Sequence, residues 1–287
     1  MQIFLSILLA CIPAMMWGYI FYKKDPVDRP RAAWTFLLGI VAVTPILLYK
    51  WSWNHIPQIN IFNYTGTFSA DVFEFTPWLY LPAGSILAFL FVGMIEEYMK
   101  HLVVKKADEG FFRNIDDAIE FSIMAALGFA FIENILYFYY IWELQGPQVL
   151  MISFVFRMLF STFAHILFSG IYGYYYGIAY FSEPIWAEKE RQGRHPVMKF
   201  LHKILHLNSE KVFAVEKVNE GLFLAVMLHA LFNILLEMGL TAAMIPFLVF
   251  GYSYLDRLFK EKENLKSYGL LRGEEAPALR KKRHKIA

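Results

Sequence analysis

Seven stretches of this chain, about 2 to 22, 33 to 49, 79 to 104, 117 to 140, 149 to 180, 217 to 238 and 241 to 258, are long and apolar enough to leave water. A helix that crosses a bilayer takes roughly 20 residues. The second and seventh stretches are therefore short, and the fifth is overlong, either strongly tilted or continuing beyond the lipid. Lipid offers a backbone amide no partner, so only helices and closed barrels span it, and runs of this length select helices. The expected fold is all-α, a polytopic transmembrane helical bundle of about seven spans. Composition agrees: 57% apolar and only 18% charged residues, with a mean hydropathy of +0.41, exceed what one soluble core needs. A signal peptide over the first twenty residues fits less well than a retained span. No Lys or Arg precedes the apolar run, which continues past Cys11 to Lys23. That single cysteine excludes an intrachain disulfide and any cysteine-built metal cluster.

Charge sets the expected orientation. Placing the amino terminus outside puts 24 of the 27 Lys and Arg in the inner segments 23–32, 105–116, 181–216 and 259–287 or at their helix edges. The opposite side has only Lys50, beside the 50–78 loop. The net charge of +2 hides this asymmetry, and a nucleic-acid partner is not expected. The expected organisation is a bundle over 1–263 and a basic cytoplasmic tail over 264–287. Val197, Phe200, Leu201, Ile204 and Leu205 recur at helical spacing. They predict an amphipathic helix near 196–208 on the inner leaflet, in contact with membrane lipids. The expected location is the cell inner (plasma) membrane, with multiple passes; nothing in the sequence sets an oligomeric state.

Ionisable groups within a span are expensive, and they usually face a bundle interior or a polar cavity where they perform a task. The third stretch carries adjacent Glu96 and Glu97, with Lys100 four and three residues on, within reach of either carboxylate. Two close carboxylates do not both ionise cheaply. Adjacent side chains also diverge by about 100° around a helix, so one glutamate can face a cavity while the other makes a structural contact. The fourth stretch holds Gly128, Glu133, Asn134 and Tyr137, the fifth His165, and the sixth His229 with Asn233 one turn later. Histidine accepts a proton near neutral pH or ligates a metal. Two of them, an asparagine at helical spacing and the intramembrane glutamates form a catalytic candidate set: Glu96, Glu97, His165, His229 and Asn233, supported by Lys100, Glu133, Asn134 and Tyr137. Arg157 is expected to snorkel or to pair with Glu133 or Glu143, without a catalytic role. Zinc would draw on Glu96, Glu133, His165 and His229. The chain has no His-Glu-x-x-His helix, however, and Asn233 is a poor ligand, so water activated by a glutamate without a cofactor is the favoured chemistry.

Four motifs in order, Glu96-Glu97-Tyr-Met-Lys100, Gly128-Phe-Ala-Phe-Ile-Glu133-Asn134-Ile-Leu-Tyr137, Phe163-Ala-His165 and His229-Ala-Leu-Phe-Asn233, resemble the PrsW family of bacterial intramembrane proteases. That family is distantly related to the CAAX prenyl protease and Abi membrane families. The resemblance implies that Glu96 and Glu97 are the family's paired glutamates, that Glu133, His165 and His229 are its later acidic and histidine positions, and that Asn233 helps hold the oxyanion. It also implies an intramembrane endopeptidase whose substrate is a single-pass membrane protein such as an anti-sigma factor. Asp116-Asp117 and the long 181–216 connection depart from the family pattern. Two other readings stay open: a transporter or lipid-binding bundle with a buried polar site, and a scaffold whose polar set fixes helix packing.

Overall fold

The computed structural model describes residues 2–22, 29–53, 55–64, 72–76, 79–191 and 209–263. The expected amphipathic segment near 196–208 and the 264–287 tail lie outside them. The described chain forms α1 (Gln2–Tyr22), α2 (Arg29–Val41), α3 (Thr44–Ser52), strands β1 (Val72–Thr76) and β2 (Leu79–Pro82), and α4 (Ala83–Ala107). It continues through α5 (Ile115–Gln145), α6 (Pro147–Phe156), a π-turn over Arg157–Ser161, α7 (Thr162–Tyr180), α8 (Ser182–Arg191), α9 (Ser209–Glu237) and α10 (Thr241–Glu263).

The protein is a polytopic helical membrane bundle. Five helical paths combine the length and hydropathy of a crossing helix: Gln2–Ile20, Arg29–Ser52, Ile115–Gln145, Pro147–Tyr180 and Glu210–Glu237. The third and seventh apolar stretches also fold as helices. Their composition is more polar, because α4 carries Glu96, Glu97 and Lys100 and α10 closes on Asp256, Arg257 and Lys260. The expected third span also begins differently. Residues 79–82 are not helix but strand β2, paired antiparallel with β1 in the register Phe73↔Leu81 and Glu74↔Tyr80. β-Branched and aromatic residues dominate β1, and Pro77 in the sequence between the strands disfavours a continuous helix.

Local chemistry sets the breaks. Pro45 lies in the first turn of α3 and cannot donate to the preceding turn, which separates α3 from α2 within one membrane path. Asn114 caps α5 by accepting from the Asp117 amide at 2.9 Å, and Asp117 in turn takes the Arg113 guanidinium at 3.0 and 3.1 Å. At the far end Gly146, at φ +83°, turns the chain into Pro147 of α6. The overlong fifth stretch is one helical path of 34 residues, interrupted only by the π-turn.

The centre of the bundle is the packing of α5 on α7, with α2 and α9 on its flanks. Small residues permit this closeness. A methyl group on Gly39 of α2 would stand 2.2 Å from the Ala125 carbonyl oxygen of α5, and one on Gly128 would stand 1.9 Å from the Phe36 oxygen. The base of α2 is tied down separately. Asp108, fully buried just after α4, accepts from Thr35 Oγ1 at 2.9 Å, while Arg31 Nη1 lies 3.7 Å from its other oxygen and donates to the Ala107 carbonyl at 2.9 Å. Burial pushes the Asp108 carboxyl up to about 6 despite these two partners.

Two outcomes follow. Gly128→Ala forces backbone apart and is expected to lower thermal stability in detergent by about 3 kcal/mol or more. Asp108 binds its proton more tightly folded than unfolded, so the folded protein gains relative stability below the unfolded carboxyl pKa and loses it as pH rises through about 6. Asp108→Asn should therefore raise the melting temperature at pH 8, with the advantage fading below roughly pH 4; melting curves across pH 4 to 8 measure it.

Candidate active site

Four helices bring the predicted polar residues to one depth: α4 supplies Glu96, Glu97 and Lys100, α5 supplies Glu133, α7 supplies His165 and α9 supplies His229. Apart from Glu133, which is partly exposed, each is at least 95% buried. The Lys100 ammonium lies 2.6 Å from Glu97 Oε1, 3.1 Å from His165 Nδ1 and 4.7 Å from the centre of the Phe129 ring. The same Glu97 oxygen meets His229 Nδ1 at 2.7 Å. His165 and His229 cross edge to face with ring centres 5.3 Å apart.

The partners fix the His165 tautomer. An ammonium only donates, so Nδ1 accepts; a carboxylate only accepts, so Nε2 carries the hydrogen given to Glu133 Oε2 at 3.0 Å. Glu133 is held from behind by Arg157 Nη2 at 2.8 Å. The Arg157 Nε donates to Asn134 Oδ1 at 2.6 Å, the Asn134 amide donates to Thr162 Oγ1 at 3.2 Å, and Thr162 closes the ring by donating to the Arg157 carbonyl at 2.9 Å. That last bond lies across the π-turn, where the Arg157 carbonyl accepts both the backbone N–H and the hydroxyl of Thr162. The Arg157 guanidinium also stacks 4.0 Å from the Tyr137 ring centre. Of the two sequence-based partners for Arg157, the structure selects Glu133. Its part in holding the site was not legible from its position eight residues before His165.

The two adjacent glutamates diverge as helical geometry requires. Glu97 is engaged by Lys100 and His229. Glu96 faces the other way: its buried Oε2 has no hydrogen-bond partner among the described residues and lies 3.5 Å from His229 Nε2. It opens onto a cavity of about 390 Å³ between α3 and α5, where Glu133 also emerges. Asn233 is half-buried and makes no hydrogen bond to these side chains among the described residues. Sequence reasoning missed His101, one turn beyond Glu97, which is buried and hydrogen-bonded to the Tyr172 hydroxyl while Tyr176 packs on its ring. Its helical spacing from Glu97 was the available signal.

A cation would find donors here. Glu97, His165 and His229 each offer a ligand atom, all within 4.8 Å of one another. One carboxylate and two imidazoles match the three protein ligands of a catalytic zinc site. The set differs from the expected one in using Glu97 rather than Glu96, while Glu133 stands behind His165.

Carboxylates and imidazoles gathered from separate helices, with Glu96 lining a cavity, form the kind of buried ionisable cluster that membrane proteins keep for a task. Sequence comparison narrows that class. The family model described as "PrsW family intramembrane metalloprotease" matches residues 29–255, and the chain belongs to the PrsW family. It is therefore a multi-pass membrane protease of the cell membrane. Among relatives, a protein named "Protease PrsW" from Oceanobacillus iheyensis is 31% identical over 184 residues, 61% of this chain and 70% of the relative. One of the same name from Shouchella clausii is 28% identical over 62% of this chain and 71% of its own length. A third, from Geobacillus kaustophilus, is 28% identical over 56% and 61%. No solved structure gives a significant match.

The Arg157 network carries its own test. Removing one partner of a buried pair costs about 3–5 kcal/mol because the other charge is left alone. Arg157→Met should lower stability by that order, and adding Glu133→Gln should recover part of it in a double-mutant cycle read by thermal unfolding.

Proposed function

We propose that the chain hydrolyses a peptide bond in a membrane-associated protein by way of water activated by Glu96. The observation that carries this reading is Glu96 itself, which lines the cavity while its buried Oε2, without a hydrogen bond among the described residues, lies 3.5 Å from His229 Nε2. Glu96 takes a proton from water as the water oxygen bonds to the substrate carbonyl carbon. His229, steadied through Nδ1 by Glu97, and the Asn233 amide one turn later stabilise the tetrahedral oxygen. The proton then passes to the amide nitrogen, the carbon–nitrogen bond breaks, and the products leave as a carboxylate and an amine. His165, oriented by Glu133 and Lys100, keeps the water-facing groups in register.

A metal-assisted version is supported by the Glu97, His165 and His229 donor set. An ion held there would supply a Lewis acid that eases the ionisation of water. In either version Glu96 handles the proton and Glu133 with Arg157 holds His165, but an ion would take the place beside Glu97 and His165 that the Lys100 ammonium fills in this structure.

Further expectations complete the reading. The bundle has seven crossings within 1–263, counting α4 and α10, with the amino terminus outside and the basic 264–287 tail in the cytoplasm. Its substrate is a single-pass membrane protein, an anti-sigma factor being the class that the family resemblance suggests.

Cleavage-product mass spectrometry on the purified protein in lipid, with variants matched for folded monomer, tests the assignment. Glu96→Gln should lose about 10²–10⁴-fold in turnover, the range for a general acid–base group. Intact proteolysis in Glu96→Gln would sink the assignment of the base, and intact proteolysis in both Glu96→Gln and Glu97→Gln would sink the glutamate mechanism. Chelator separates the versions: loss of cleavage restored by zinc supports the ion-assisted one, and unchanged cleavage supports the glutamate alone.

A further inference from the structure

The cavity above Glu96 is built as two facing helical stripes. On one side Val43, the adjacent Ile46 and Leu47, and Lys50 share one helical face along α3 and the turn before it. On the other, Phe129, Glu133, Tyr137 and Tyr140 do the same along α5. Burial grades along the slot. Val43, Ile46, Phe129 and Glu96 are at most 5% exposed, whereas Lys50, Trp51, Tyr137 and Tyr140 open to the surface. The slot therefore has an acidic floor, apolar and aromatic walls, and one cation at its mouth.

Lys50 is the one Lys or Arg between Arg31 and Lys100, and no ion pair occupies it among the described residues. Its position in the last turn of α3 suits the helix dipole. That role alone does not require the side chain to line the slot. From Val43 to Lys50 the helix rises about 10 Å, and from Phe129 to Tyr140 about 16 Å. An extended peptide at about 3.3 Å per residue covers that length in roughly three to five residues.

Resting on the hydrolytic reading above, we propose that this slot binds the substrate as an extended apolar segment and that Lys50 selects a carboxylate carried three to five residues from the scissile bond. Charge complementarity is the ground: the mouth presents an ammonium with no ion pair among the described residues, beside aromatic faces, and an acidic side chain or a free carboxyl terminus supplies its counter-charge. The same carboxylate is kept away from the floor by Glu96 and Glu133, which fixes the register of the peptide relative to the carbonyl under attack.

The test uses the full-length protein in nanodiscs and a set of apolar peptides that differ by one residue. Glu, Gln or Lys is walked through positions two to seven on each side of the cleaved bond, and the carboxyl terminus is left free or amidated. Wild type should cleave the best-placed Glu peptide about 5- to 30-fold faster, in kcat/KM, than its Gln counterpart. A gain confined to free termini names the terminal carboxylate as the source; a gain with Glu in amidated peptides names the side chain. Lys50→Glu should reverse the order, cutting the Lys peptide faster than the Glu peptide, which a misfolded variant does not do. Lys50→Met should bring all three peptides within twofold. Equal rates for Glu and Gln peptides in wild type, or an unchanged preference in either variant, overturn the assignment of Lys50 while leaving hydrolysis standing. Cleavage of none of the peptides by wild type removes the hydrolytic reading and this inference with it. Discs of zwitterionic and of anionic lipid separate a competing occupant. A Glu preference in both supports the peptide, and a rate that follows anionic lipid with no Glu preference assigns the mouth to a headgroup and overturns the proposal.

Discussion

The contact on which the rest of the site depends is Lys100 against Glu97. Neither charge is tolerable alone at that depth. Together, at 2.6 Å, they neutralise each other and still leave the carboxylate free to accept from His229 and the ammonium free to donate to His165. One pair thus joins α4, α7 and α9, which are separated by long stretches of sequence. It also explains the unequal fates of the adjacent glutamates: once Glu97 is saturated by two cationic or donating neighbours, Glu96 is the carboxylate left to face the cavity.

A second network supports the first from outside. The π-turn at Arg157–Ser161 inserts a residue into the longest helical path, and the Arg157 carbonyl, the Thr162 hydroxyl, the Asn134 amide and the Arg157 guanidinium close into a ring. That ring aims Arg157 at Glu133, and Glu133 fixes the imidazole of His165. A buried polar network is stable only when each member is satisfied, and here each hydrogen bond leads inward toward the histidine. Helix irregularities of this kind recur at functional sites.

Much of this was legible in the sequence because membranes simplify the code. Apolar length gave the helices, and the cost of charge in lipid marked Glu96, Glu97, Glu133, His165 and His229 as residues that had to meet. The close approach at Gly128 was also readable, since it needs only the absence of a side chain. What escaped were features decided across helices. No local pattern tells that Glu97 rather than Glu96 joins the two histidines, because that depends on the rotation of α4 within the bundle. For Arg157 the sequence leaves open snorkelling or a pair with Glu133 or Glu143, and the choice of Glu133, 24 residues away, is made at a π-turn that has no sequence signature. Asn233 shows the converse: helical spacing puts it near His229, yet among the described residues it makes no hydrogen bond to the cluster. The strand at 79–82 was hidden inside an apolar run, where strand and helix look alike without their partner.

The break at residues 42 and 43 has a mechanical consequence. Below it, α2 is locked into α5 by the interleaved backbones at Gly39 and Gly128. Above it, α3 leans instead on α4, where Val43 and Ile46 pack with Val92 and Tyr49 meets the edge of Phe91. A single segment is thus strapped to both of the helices that carry the facing carboxylates, Glu96 and Glu133. Any movement that spreads those two helices has to flex the strap at its joint, so the gape of the slot and the bend before Pro45 are geometrically one variable.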